Sequence, residues 1–283
     1  MTLRRLLPHG PPTTVEQLVE ELACPREGDL AERAAAGSGS RPYLVLNMIS
    51  TADGRASLGG RSGAIGGEAD KELFHGLRTV VDAVMAGAGT VRAERYGRLV
   101  RDERRRQIRR ERGLAEEPLA CIVSGRLALT SEIPLLADPD ARVAIVTASP
   151  ESLPEDCRAD IDYVRAARGG IPDPPSLDPP SPDPPSLDPP SLDLPSAMSE
   201  LRERLGVRTI LCEGGPHLNS QLLAEGLVDE LFLSLSPKLT GGDATSETLR
   251  ILSGPELDPP VALELVTALE HESHLFLRYK IIH

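Results

Sequence analysis

The segments Val84-Met85-Ala86-Gly87-Ala88-Gly89-Thr90-Val91-Arg92 and Ile210-Leu211-Cys212-Glu213-Gly214-Gly215-Pro216-His217-Leu218 each run from a short apolar stretch into small residues and then a helical pattern. That order leaves backbone N–H groups free at the start of a helix, where phosphate oxygens can be held. Two such turns predict a ligand of nucleotide size. The first falls short of the dinucleotide fingerprint G-x-G-x-x-G, because Arg92 stands where the third glycine belongs. A phosphate-facing turn needs only small residues; the competing reading is a tight strand-to-helix turn with no ligand. Glu213 admits three roles: proton donor, ligand anchor, or a charge complementing the helix dipole. Asp53, in Ala52-Asp53-Gly54-Arg55, is either a site carboxylate or a hairpin-turn residue.

Other chemistries find no support. The sequence has no Gly-x-Ser-x-Gly elbow, no phosphate loop ending Gly-Lys-Ser/Thr and no His-Glu-x-x-His helix. The six histidines form no metal-ligand pattern; His271 and His274, placed together on one late strand, are expected on opposite sides of it. Four scattered cysteines without a C-x-x-C pair argue against structural zinc and disulfides, and predict reduced thiols in a cytoplasm. A net charge of −12, no Trp and only three Phe and four Tyr exclude a basic, stacking surface for nucleic acid. The start has no signal-like apolar run, and no stretch has membrane-spanning length. The expected partner is a small molecule.

The elements that would position these residues alternate. Val15, Leu18, Val19 and Leu22 predict a short helix on a flexible lead that reaches Ser40. Residues 41–283 read as the main domain. There, the run from Tyr43 predicts a strand that delivers Asn47, Ser50, Thr51 and Asp53 to its carboxyl end. A helix over 68–79 and a strand over 81–86 follow. The arginine-dense run 101–112, with acids interleaved, reads as a solvated helix or mobile loop. Strands are predicted over 120–123, 143–146, 209–212, 231–235 and 275–282, the last antiparallel, with helices over 197–205 and 218–225. Within 171–196, the repeat Asp-Pro-Pro-Ser-Leu, with variants, starting at Asp173, Asp178, Asp183 and Asp188, cannot join a sheet and predicts an inserted surface loop. Strands separated by helices predict an α/β fold: a parallel or mixed sheet covered on both faces, with ligands beyond the strand carboxyl ends.

The order of motifs resembles the reductase domain of bacterial riboflavin biosynthesis. The resemblance rests on Asn47-Met48-Ile49-Ser50-Thr51-Ala52-Asp53-Gly54-Arg55, Gly60-Arg61-Ser62, Leu77-Arg78, the stretch Asp82 to Glu94, and Glu213-Gly214-Gly215-Pro216. It implies a three-layer, dihydrofolate-reductase-like fold with a central, mostly parallel mixed sheet, NADPH as cofactor, and a homodimer. The reaction it implies is reduction of the ribosyl group of 5-amino-6-(5-phosphoribosylamino)uracil to a ribityl chain. The zinc deaminase pattern that often accompanies the domain is absent from this sequence, which implies a stand-alone reductase. By position, Gly87, Gly89, Thr90, Glu94, Gly214, Gly215, Pro216, His217 and Leu218 would contact the cofactor. Ser124 would lie at its adenosine end, and Arg126 beside the 2′-phosphate. Ser62 and Arg78 would meet the phosphorylated substrate; Asp53 and Glu213 would orient it or relay a proton; Asn47 would fix the nicotinamide or the uracil. Two departures stand out: the family's frequent Asp-Asp-Pro reads Glu94-Arg95-Tyr96 here, and its usual Trp is Ala64. The alternatives are a reductase of another pterin or pyrimidine, such as dihydrofolate, and a non-catalytic nucleotide-binding protein.

Overall fold

Along the central strands, successive side chains enter two different cores. Val84, Ala86, Ala120, Ile122, Val143 and Ile145 pack on one face, while Ala83, Met85, Cys121, Val123, Ala144 and Val146 pack on the other. This period of two, with both sets apolar, marks strands buried on both sides. A computed structural model describes residues 1–22, 40–59, 61–168, 192–241 and 249–282. Its strands are β1 (Thr2–Leu7), β2 (Thr13–Thr14), β3 (Tyr43–Thr51), β4 (Ala83–Gly87), β5 (Leu119–Val123), β6 (Arg142–Thr147), β7 (Asp160–Arg165), β8 (Thr209–Cys212), β9 (Glu230–Ser236), β10 (Ala262–His271) and β11 (His274–Ile282). They form one sheet of order β2-β1-β10-β11-β9-β3-β8-β4-β5-β6-β7. From β9 to β7 all neighbours are parallel; the remaining pairs are antiparallel.

The helices are α1 (Val15–Leu22), α2 (Glu68–Leu77), α3 (Ala88–Ala93), α4 (Glu103–Glu111), α5 (Pro134–Ala137), α6 (Leu194–Glu203) and α7 (Pro216–Ala224). Val15, Leu18, Leu73, Leu77 and Leu136 bring α1, α2 and α5 to the first core. Leu194, Met198, Leu201, Leu218 and Leu222 bring α6 and α7 to the second. The result is the expected three-layer α/β fold. Asp82, one of the resemblance residues, ties β4 to β8: its carboxylate accepts from the Thr209 amide at 2.9 Å and hydroxyl at 3.1 Å.

Several elements differ from the sequence reading. The N-terminal residues supply β1 and β2, and β1 pairs antiparallel with β10, so the lead into α1 is part of the sheet. His271 and His274 flank a hairpin as cross-strand partners, β10 to β11, across Glu272 and Ser273, which both have positive φ as a type I′ turn requires. The arginine-dense run is a helix capped by Asp102, whose side chain accepts from the Arg105 amide. Arg109 is not solvated: it is 1% exposed and donates to the carbonyls of Ala115, Arg78 and Val81. The proline repeat and the expected flexible lead after α1 fall mainly outside the described residues, and Leu192, the last residue of the repeat, forms a β-bridge with Ala167.

Candidate functional site

Beyond the carboxyl ends of β3, β4, β5 and β8 lies a cleft of two compartments. The larger, about 750 Å³, is lined by every residue expected to contact a cofactor: Gly87, Gly89, Thr90, Glu94, Ser124, Arg126, Gly214, Gly215, Pro216, His217 and Leu218. The smaller, about 540 Å³, takes Asn47, Ser62 and Arg78 together with a face of α2 and the segment 94–102. Met48, Ala56, Ser62, Thr90, Glu94 and Glu213 line both, so the compartments meet at these six side chains.

The larger compartment is shaped by missing side chains. A Cβ on Gly89 would meet nothing within 4 Å, so the chain there opens onto the cavity. A Cβ on Gly215 would come within 3.0 Å of Thr90 Oγ1, which holds the two glycine turns close together. Gly214 has φ +95, and a side chain there would also press on Met48 at 3.3 Å. The Gly214–Gly215 peptide is cis, and the Gly87 amide donates to the Gly214 carbonyl at 2.8 Å. Gly215 caps α7 without a side-chain partner, leaving the amides of His217 and Leu218 available to an anion. Arg126 stands exposed at the rim.

At the junction, Glu213 is 8% exposed and its carboxylate accepts three hydrogen bonds, two on Oε2 and one on Oε1. Arg78 donates to both oxygens, Nε and Nη2 each at 2.7 Å, and the Tyr96 hydroxyl donates to Oε2. Arg78 also donates to the Leu99 carbonyl at 2.8 Å, and its guanidinium stacks 4.3 Å over the Phe74 ring. Burial, with the Glu213 charge beside it, raises the Tyr96 phenol well above its ordinary value, so it stays a neutral donor. Arg78 is thus engaged inside the wall rather than free for a phosphate. Glu94 Oε1 accepts from the Ser62 amide at 2.8 Å and hydroxyl at 3.1 Å, fixing the Ser62 loop over the junction.

Asp53 lies apart from both linings. One of its oxygens accepts from the Thr51 hydroxyl, the other from the amides of Thr240 and Gly241. These bonds, that of Thr51 foremost, hold the carboxyl down at about 2. Asp53 pins the loop after β9 to the end of β3; from that loop Lys238 Nζ reaches the Ala64 and Ile65 carbonyls, at 2.9 and 3.1 Å. Asn47, by contrast, faces the smaller compartment with its amide unpaired among the described residues.

Sequence reasoning missed the α2 face and the loop after α3. Asp70, Lys71, Phe74, His75 and Arg78 line the smaller compartment at i, i+1, i+4, i+5 and i+8, one helical stripe. That spacing is legible in the sequence once the helix over 68–79 is drawn. Lys71, Arg95 and Arg101 also line this compartment, and none forms an ion pair among the described residues. The imidazole of His75, whose ring meets Phe74 edge-on, is lowered from its ordinary value by burial and by Arg78. Among the described residues no cluster of three or more His, Cys, Asp or Glu could hold a metal, and no helix is long and apolar enough to cross a membrane.

A mixed sheet with a two-compartment cleft at its strand carboxyl ends is the arrangement in which open α/β proteins hold small-molecule ligands. The chain belongs to the RibD C-terminal domain family, whose model matches residues 42–271. Two relatives bear the name 2,5-diamino-6-ribosylamino-4(3H)-pyrimidinone 5′-phosphate reductase. The one from Archaeoglobus fulgidus is 28% identical over 71% of this chain and 83% of its own length. The one from Methanothermobacter thermautotrophicus is 27% identical over 71% and 81%. A crystal structure described as a pyrimidine reductase-like protein, from Corynebacterium diphtheriae, superposes with a TM-score of 0.68 at 24% identity, covering 96% of this chain and all of the other, and so shares the fold.

Proposed function

We propose that this chain is an NADPH-dependent reductase of riboflavin biosynthesis that converts the ribosyl group of a 5-amino-6-ribosylaminopyrimidine 5′-phosphate into a ribityl chain. The observation that carries the reading is the meeting of two compartments at Glu213, with phosphate-compatible glycine turns on one side and, on the other, cations that form no ion pair among the described residues. The relatives' names agree with it.

The residues present fit a dinucleotide. The open backbone at Gly89 and the α7 amides of His217 and Leu218 would take the pyrophosphate, and Arg126 the 2′-phosphate. Ser124 and Val123 would line the adenosine end, and Thr90 and Glu94 the nicotinamide end. When bound, the cofactor would supply a hydride to the sugar C1, the C1–O4 ring bond opening and the ring oxygen taking a proton from solvent to become the ribityl hydroxyl. The protein's part is alignment. Glu213, fixed by Arg78 and Tyr96, presents a rigid carboxylate at the junction that orients the sugar hydroxyls. Asn47 offers its free amide to the nicotinamide or the pyrimidine. Asp53 acts from behind, holding the strap that carries Lys238 against the Ser62 loop. Arg101 and Arg95 replace Arg78 as the groups for the substrate phosphate, with Ser62 beside it.

A cytoplasmic homodimer completes the reading. Ala262 to Val266 of β10 are all exposed, and Leu263, Leu265 and Ile282 each expose 40% or more, an apolar face that suits a second copy. The test is NADPH oxidation, followed by absorbance, with the 2,5-diaminopyrimidinone phosphate, the deaminated uracil phosphate and dihydrofolate offered separately. Oxidation with a pyrimidine phosphate is expected. Oxidation with dihydrofolate alone would replace the substrate assignment, and none with any would remove the enzymatic reading.

A further inference from the structure

The substrate in the relatives' names and the one implied by the sequence resemblance differ at a single ring position. C2 carries an amino group in the diaminopyrimidinone and an oxygen in the uracil. Beside N3–H, the first edge offers two donors; the second offers a donor and an acceptor. A group that distinguishes them must supply two acceptors in one plane, as a carboxylate does.

Asp70 is a carboxyl placed for that task. It lines the smaller compartment from the first turn of α2, and its Oδ2 sits 2.4 Å from where a Cβ on Gly66 would be, so the absent side chain makes its room. Its surroundings are sparse. Ser234 on β9 and His274 on β11 lie near, and Lys71 beside it is exposed; no cation forms an ion pair with it among the described residues. Burial raises its carboxyl, with Ser234 and His274 opposing, which marks acceptors short of donors. Glu68, exposed in the same turn, already complements the helix dipole. Arg78, bonded to Glu213 at the junction, lies eight residues further on, about 12 Å along the helix axis. A pyrimidine ring and its first sugar carbon fit between.

We propose that Asp70 reads the C2/N3 edge of the substrate and selects the 2-amino over the 2-oxo pyrimidine. This rests on the reductase reading above. Binding of each pyrimidine 5′-phosphate, measured by calorimetry without cofactor, tests it together with kcat/KM for each. The wild type is expected to favour the diaminopyrimidinone tenfold or more. Asp70→Asn, which offers one acceptor and one donor, should erase or invert that ratio, and Asp70→Glu should retain it. Should the asparagine variant fail to fold by circular dichroism, Asp70→Ser is expected to lose the preference instead. An unchanged ratio in the folded variants overturns the proposal, as does a wild type that prefers the uracil. Preferential binding without turnover would uphold Asp70 and defeat the reductase reading; binding of neither pyrimidine would defeat both.

Discussion

At Glu213 three donors converge on two oxygens, Nε and Nη2 of Arg78 and the hydroxyl of Tyr96, so this carboxylate is held in one orientation. Tyr96→Phe removes one donor from a buried charge. It should cost about 1–3 kcal/mol in urea unfolding and lower kcat more than it raises KM. Arg78→Met strands the carboxylate and should cost more, about 3–5 kcal/mol. Equal stabilities for the two variants would contradict the arrangement. Asp53 gives a pH signature. Its folded carboxyl is held at about 2 against an ordinary 3.8, so its contribution is present above about pH 4 and lost as pH falls through 2. Asp53→Asn should flatten that part of the acid-unfolding curve followed by circular dichroism. At this scale the sequence showed which residues gather but not what they touch. Glu213 and Arg78 were both singled out, yet their pairing across 135 residues has no local signal. Tyr96 was noted only as a departure from a motif, and its partner is equally remote.

Among the elements, α4 shows why charge density misleads. Its run Glu-Arg-Arg-Arg-Gln-Ile-Arg-Arg-Glu has the composition of a solvated face, and most of its arginines do pair with nearby acids. Arg109 instead satisfies three backbone carbonyls, and burial lowers its guanidinium to about 10. Arg109→Met should lose about 2–4 kcal/mol, because the Arg78 and Val81 carbonyls are left without a donor. A change within 0.5 kcal/mol on denaturation would mean that the carbonyls find other partners. The glycine turns were legible because small residues after an apolar run leave few alternatives. Their mutual contact was not legible. Gly215→Ala, with its Cβ 3.0 Å from Thr90 Oγ1, should weaken NADPH binding about tenfold, read by fluorescence titration, with little loss of stability. Strands β1 and β10 escaped the sequence reading for a physical reason: Ala262 to Val266 are exposed, and the arginines of β1 break the apolar alternation that burial on one face would impose.

For the whole molecule, one sheet carries both compartments, and the order β3-β8-β4 places the ends of strands distant in sequence side by side. That adjacency turns scattered strand-end residues into a site. It was expected from the alternation of strands and helices, because parallel strands align their carboxyl ends. Which cations stay available was not, since that depends on which arginines find internal partners: Arg78, Arg98 and Arg105 do, while Arg95 and Arg101 have none among the described residues. On a chain of net charge −12, anionic ligands depend on such local cations. Arg126→Ala should raise KM for NADPH at least tenfold and leave KM for NADH unchanged; equal effects would place the 2′-phosphate elsewhere. The account's central claim is that cofactor and pyrimidine meet at the Glu213 junction. Its most direct test is isotope transfer: the protein is supplied with stereospecifically 4-deuterated NADPH, in each of its two forms, and a ribosylaminopyrimidine phosphate, and the product is weighed by mass spectrometry. The account predicts one deuterium at the ribityl C1 from one form and none from the other. Cofactor oxidation with no deuterium in the pyrimidine product from either form would contradict it.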